Sequence, residues 1–258
     1  MHDVGGQRLR VAVQPGEPDV PPLLLFNGIG ASVELVQPFF EALDGREAIV
    51  FDVPGVGGSP TPALPYRPRT LATLAARLLD QMGHAEVDVL GVSWGGVLAQ
   101  QFAFQHAARC RRMVLAATSP GHFMVPGKPS VLLKMATPRR YRDPGYRERV
   151  AGDIYGGALR QSPEIARSLL RHVRWSSDAG YYLQLAAVVG WTSLPWLAFL
   201  KQPALVMAGA DDPLVPAVNG RILAALIPKA RLVTIADGHL FLITSAQESG
   251  KLVSDFLS

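Results

Sequence analysis

The residues best placed to do chemistry together are Ser93, Asp212 and His239. A serine hydroxyl is a poor nucleophile at neutral pH, so it needs an imidazole to take its proton and a carboxylate to fix that imidazole's tautomer. Ser93 stands in Gly91-Val-Ser-Trp-Gly95, directly after the apolar run Val87-Asp-Val-Leu90 and before a helix-like segment. At such a strand-to-helix turn the backbone is strained and the hydroxyl is pushed into a cleft. Gly91 and Gly95 let strand and helix approach without a Cβ clash. Gly-x-Ser-x-Gly alone arises often by chance, so its surroundings decide what it means.

The partners follow in the expected order. After the run Ala204–Ala208 comes Gly209-Ala-Asp-Asp-Pro-Leu-Val-Pro216, and after Arg231–Ile235 comes Ala236-Asp-Gly-His239. Serine, then acid, then histidine is the chain order of one class of parallel-sheet hydrolases. Of the six histidines, His239 follows a late strand and a glycine that frees its loop to reach back toward Ser93. Asp212 is preferred over Asp211 as its orienter because it directly precedes Pro213, where the loop opens toward the next helix. Asp211 reads as a turn or capping residue, and Asp237 lies too close in sequence to His239 to orient it easily.

A tetrahedral oxyanion also needs donors. The turn Asn27-Gly-Ile-Gly30 follows a buried strand, and its glycines leave backbone N–H groups open. The oxyanion hole is therefore assigned to the N–H groups of Ile29 and Trp94, each donor being worth about 3 kcal/mol in the transition state. Gly30 can equally serve chain reversal alone. The Asp52–Ser59 turn reads as structural, with Asp52 holding it by hydrogen bonds.

Positioning these residues requires a sheet whose strands end at one edge. Short apolar runs recur at Leu9–Val13, Leu23–Phe26, Ala48–Phe51, Val87–Leu90, Arg112–Ala116, Ala204–Ala208 and Arg231–Ile235. Helical spacing appears between them at Glu34–Leu43, Thr70–Gln81, Trp94–His106, Ala217–Leu226 and Ala246–Leu257. This alternation predicts an α/β fold with a mostly parallel sheet and an antiparallel early edge. Pro60, Pro62, Pro65 and Pro68 mark an extended loop.

The rhythm breaks between Ser119 and Pro195. No strand-like run occurs there, but Val131–Met135, Glu164–Val173 and Tyr181–Val189 have helical spacing. The expected division is a core in two parts, 1–118 and 196–258, with a helical cap over 119–195. Long structured insertions are where lids and substrate pockets occur. Tyr181, Tyr182, Trp191 and Trp196 could line an acyl pocket or form the small core between cap and sheet.

Composition agrees with one large soluble domain: 258 residues, 48% hydrophobic and 18% charged. The chain lacks a run of about 20 uncharged apolar residues and an apolar leader near Met1, so a cytoplasmic protein without transmembrane segments is expected. Cys110 is the single cysteine, which excludes an intrachain disulfide and argues against a cysteine-based zinc site. Cys110 reads as buried filler. The formal charge of +4 is concentrated in 120–200, with 11 basic against 5 acidic residues. No nucleic-acid signature accompanies it, so no nucleic-acid partner is expected. A solvated basic face, or Arg139, Arg140 and Arg142 docking on an anionic particle coat, would account for it.

Together these motifs resemble the α/β-hydrolase fold across essentially the whole chain. Leu25–Ala31, Phe51–Ser59, Gly91–Gly96 with Leu98–Phe102, and Gly238–Thr244 are similar to the intracellular depolymerases of medium-chain-length polyhydroxyalkanoate. So are the cap stretches Val125–Pro129, Pro138–Tyr141, Ile154–Gly157 and Gly190–Ser193. The resemblance implies a serine esterase that releases 3-hydroxyalkanoic acids at storage-granule surfaces, with Ser93, Asp212 and His239 on the family's triad positions. No metal or organic cofactor is required by that chemistry. A carboxylesterase or carbon–carbon bond hydrolase acting on small molecules, or a catalytically silent binding protein on the same scaffold, are the rival expectations.

Overall fold

The computed structural model describes residues 1–43, 45–170, 175 and 177–258. Its first two strands, β1 (His2–Val4) and β2 (Gln7–Leu9), form a separate antiparallel ribbon. The main sheet comprises β3 (Val11–Gln14), β4 (Leu23–Phe26), β5 (Ala48–Phe51), β6 (Val87–Val92), β7 (Cys110–Ala116), β8 (Ala204–Gly209) and β9 (Ala230–Ile235). Its order is β3-β5-β4-β6-β7-β8-β9. Only β3 runs antiparallel, against β5. The expected single strand Leu9–Val13 is thus two strands broken at Arg10, whose N–H turns aside to Ser59 Oγ at 2.9 Å.

Strand periodicity divides the core. Leu24, Phe26, Ile49, Val89 and Val206 face one cluster, while Leu23, Leu25, Val50, Leu90 and Met207 face another. The first is covered by α2 (Pro68–Met82), α3 (Trp94–Gln105) and α10 (Val218–Leu226). The second is covered by α1 (Gln37–Glu41), α11 (Phe241–Thr244) and α12 (Ala246–Leu257). Helix α2 begins two residues earlier than its apolar spacing suggests. Pro68 takes its first turn, where a missing N–H costs nothing, and Gly83 closes it in the left-handed conformation at φ 79°.

Between β7 and β8 the described residues form helices α4 (Pro129–Met135), α5 (Arg139–Arg142), α6 (Pro144–Tyr155), α7 (Gly157–Gln161), α8 (Pro163–Leu170) and α9 (Asp178–Ala187). They share a small core of Val131, Val150, Ile154, Leu159 and Leu214. The expected helix Glu164–Val173 coincides with α8, and its residues 171–173 lie outside the described residues. Asp143 caps α6, accepting the Tyr146 N–H at 2.8 Å. This segment is seated on the sheet domain at Gly55 and Gly180, whose backbones touch: a Cβ on either would overlap the other.

Of the three arginines expected to dock on a surface, the fold withdraws Arg140, while Arg139 and Arg142 stay exposed. Arg140 is 2% exposed, enclosed by tyrosines, while Arg139 and Arg142 pair with Asp143 and Asp178 at 3.6 and 2.9 Å. The side chain at 140 points inward because a four-residue helix turns one of three basic residues away from solvent.

Candidate active site

The chain leaves β4 toward β5 on one side and returns to β6 on the other, so the carboxyl ends of β4 and β6 flank the point where strand order reverses. Open α/β sheets bind ligands in the crevice at such a point. Asn27–Ile29 follow β4 and Ser93 follows β6.

Ser93 has φ 55° and ψ −120°, a strained conformation for a residue with a Cβ. Three contacts hold it. Its N–H donates to the Ala116 carbonyl at 2.9 Å, its carbonyl accepts from Thr118 Oγ1 at 2.7 Å, and the Gly96 N–H closes onto the same carbonyl at 2.9 Å. A Cβ on Gly91 would strike the Gly95 carbonyl, and one on Gly95 would strike the Phe26 carbonyl. The two glycines therefore permit the close approach of α3 to β6 and β4.

The structure brings the three expected side chains together. His239 Nδ1 donates to Asp212 Oδ2 at 2.7 Å, and the Ser93 hydroxyl donates to His239 Nε2 at 2.9 Å. The tautomer follows from the carboxylate, which can only accept. Asp212 is itself fixed, since its Oδ1 accepts the N–H groups of Leu214 and Val215, both at 2.9 Å. His239 is 3% exposed, donates its own N–H to the Tyr155 carbonyl at 2.6 Å, and stacks on the Tyr155 ring at 6.2 Å.

The neighbouring acids have other employment. Asp211 pairs with Arg160 and accepts the Gly157 N–H at 2.9 Å, so the arginine and that N–H hold its carboxyl below the usual carboxylate range. Asp237 accepts from Thr244 Oγ1 at 2.6 Å, Ser245 Oγ at 2.8 Å and the N–H groups of Ala158 and Gly238. Burial pushes its carboxyl up, but these donors outweigh it and hold the group low. Asp237 thereby ties the His239 loop to α7 and α11.

Among the described residues the N–H groups of Ile29 and Trp94 donate to no protein acceptor, and both residues border cavities that Ser93 also borders. The Ile29 turn is braced from the inserted segment. Tyr141 Oη donates to the Ile29 carbonyl at 2.5 Å, and the Gly30 N–H donates to Gln184 Oε1 at 2.7 Å. The Gln184 carbonyl accepts the Trp94 indole N–H at 2.9 Å. Gln184 and Tyr141 escaped the sequence reading, although a glutamine three residues after Tyr181 on a buried helix face is a detectable signal.

Of the two expectations for the aromatics of the inserted segment, acyl pocket or small core, the core is the one formed by Tyr181, with Trp196 packed against it. Tyr181 is buried with its hydroxyl on the Met135 carbonyl at 2.5 Å, Tyr182 is half exposed, and Trp191 packs edge-on against Trp196. Two cavities meet at Ser93. One is lined by Leu35, Leu214, Leu240, Ile243, His239 and Arg140, among others. The second is lined by Trp94, Val97, Met124, Val188 and Val215.

A family profile described as alpha/beta hydrolase fold matches residues 21–246. The chain belongs to the alpha/beta hydrolase fold family. It is 55% identical over 256 residues to the poly(3-hydroxyalkanoate) depolymerase of Ectopseudomonas oleovorans, covering 99% of this chain and 90% of that one. The 3-oxoadipate enol-lactonase 2 of Acinetobacter baylyi is 26% identical, covering 87% and 84%. Among solved structures, the enol-lactonase from Burkholderia xenovorans LB400 superposes with a TM-score of 0.82 at 26% identity, covering 99% and 98%. No helix among the described residues is long and apolar enough to cross a membrane.

Proposed function

We propose that this alpha/beta hydrolase is a serine esterase that hydrolyses medium-chain-length polyhydroxyalkanoate to 3-hydroxyalkanoic acids, working inside the cell at the storage-granule surface. The observation that carries this reading is the 55% identity to a poly(3-hydroxyalkanoate) depolymerase over nearly the whole chain, in a molecule whose Ser93, His239 and Asp212 form one hydrogen-bonded relay. Residues 1–118 and 196–258 act as the catalytic core and 119–195 as a cap.

In this reading His239 accepts the Ser93 proton as Oγ attacks the ester carbonyl, and the N–H groups of Ile29 and Trp94 stabilise the oxyanion. His239 then gives the proton to the departing alkoxide. Asp212 holds the imidazolium and its tautomer throughout. Water, activated by His239, releases the acid from the acyl-enzyme. The apolar walls of the two cavities accommodate alkyl side chains.

Purified protein incubated with medium- and short-chain polyester granules, with mass spectrometry of released acids, tests the substrate. Acid release that Ser93→Ala abolishes supports the reading, and no acid from either polymer removes it. The likeness to an enol-lactonase favours a second reading, a hydrolase of small esters or lactones. Hydrolysis of such compounds with intact polymer would favour it. Absence of fluorophosphonate labelling at Ser93 would instead favour a binding protein.

A further inference from the structure

Arg140 is a charge in the interior with no counter-charge among the described residues. Its Nε donates to Tyr155 Oη at 3.2 Å, Nη1 to Tyr181 Oη at 2.7 Å and Nη2 to Tyr141 Oη at 3.5 Å. The rings of Tyr141 and Tyr181 lie 4.5 and 5.2 Å from its guanidinium carbon. Phenol oxygens and ring faces solvate the cation only partly. They leave donors of the guanidinium fork unengaged, and among the described residues no carboxylate reaches it. Elsewhere this fold pairs its inward arginines: Arg46 and Arg111 share the buried Asp88 at 3.0 and 2.6 Å. Leaving a buried guanidinium unpaired is costly. Its side chain borders the cavity that holds Ser93 and His239, and Arg147 enters the same cavity, also without an acidic partner among the described residues. Among the described residues no acidic one lines that cavity, and most of its wall is apolar.

The position of His239 sets which part of an ester enters there. Ser93 borders both cavities, but His239 borders only the one containing the arginines. The group that protonates the departing oxygen must stand beside it. The alcohol portion of the ester therefore belongs in the arginine cavity and the acyl portion in the cavity of Trp94, Val97 and Met124. In a polyester of 3-hydroxy acids, the alcohol portion at the last linkage is a single hydroxy acid with a free carboxylate. At any internal linkage it carries another ester.

We infer that Arg140 and Arg147 form a subsite for the free carboxylate of the departing hydroxy acid, so that the polymer is shortened from its carboxyl end. The inference rests on the polyester-hydrolase reading and deepens it. Ser93 Oγ bonds to the penultimate carbonyl carbon and the C–O bond to the terminal unit breaks. The proton from Ser93, carried by His239, completes that unit's hydroxyl while its carboxylate stays on the arginine fork. Water then frees the shortened chain, with its new carboxyl end, from Ser93.

The test uses trimers of 3-hydroxyoctanoic acid deuterated in the carboxyl-terminal unit, as the free acid and as the methyl ester, with products resolved by mass spectrometry. The free acid is expected to be cut with kcat/KM about tenfold or more above the methyl ester, releasing deuterated monomer first. Arg147→Gln and Arg140→Lys should each pull that ratio toward unity. Equal rates on acid and methyl ester by the unaltered protein, or unlabelled monomer released first, would overturn the subsite while leaving the hydrolase reading standing. A ratio unmoved in a folded Arg147→Gln variant would overturn it too, and this partly exposed position keeps the test open if Arg140→Lys does not fold. Cleavage of neither trimer would bring down the polyester reading and the subsite with it.

Discussion

Gln184 Oε1 accepts the Gly30 N–H at 2.7 Å while the Gln184 carbonyl accepts the Trp94 indole at 2.9 Å, so one buried residue of the inserted segment braces both sides of the proposed oxyanion hole. Its replacement should act on turnover rather than on binding. Gln184→Leu is expected to lower kcat about tenfold or more, near the 1 to 2 kcal/mol of one lost buried hydrogen bond, with KM little changed. Steady-state kinetics on an aryl ester decide this, and a raised KM at constant kcat would contradict it.

Asp212→Asn keeps an acceptor for the Leu214 and Val215 N–H groups but lets the imidazole adopt the wrong tautomer. A fall in kcat on the order of 10⁴-fold is expected, with a melting temperature close to that of the parent. Asp211→Asn removes only the pairing with Arg160, half exposed to solvent, and should leave kcat within about twofold. Parallel assays of the two variants discriminate between adjacent acids that a sequence motif treats as nearly equivalent.

Gly95→Ala should destabilise the protein by about 1 to 3 kcal/mol or more, because the methyl group enters the space of the Phe26 carbonyl and α3 must move. Urea unfolding midpoints measure the loss. Ser93→Ala, which adds no atom, should leave the midpoint near that of the parent while abolishing fluorophosphonate labelling.

Acid lability should trace in part to Asp237. Its folded carboxyl sits below the unfolded value of about 3.9, so its contribution is fully present above that value and is lost as pH falls through the lower, folded one. The stability gap between parent and Asp237→Asn, followed by urea unfolding from pH 7 to pH 3, should hold to about pH 5 and narrow below pH 4. A gap that widened on acidification would contradict the sign.

Much of the site was legible because its parts are local. The central strands β4, β5, β6 and β8 are buried on both faces, the glycines around Ser93 mark a required close approach, and Asp212 and His239 each follow a strand end. The fold is confirmed by the sheet order and the family match. What escaped the sequence depends on rotation about short helices. Arg139, Arg140 and Arg142 look alike in sequence, yet the turn of α5 sends only Arg140 inward. Tyr141 and Gln184 act across more than a hundred residues on Ile29 and Gly30, a separation that no local pattern encodes.

The backbone seat of Gly180 on Gly55 has a consequence for how a solid polymer could ever be attacked. With no side chain at either position, the amino end of α9 lies backbone against backbone on the loop after β5, and any Cβ placed there would wedge the two apart. On the proposed reading a polymer reaches Ser93 past this joint, so a larger residue at either position would reshape that approach.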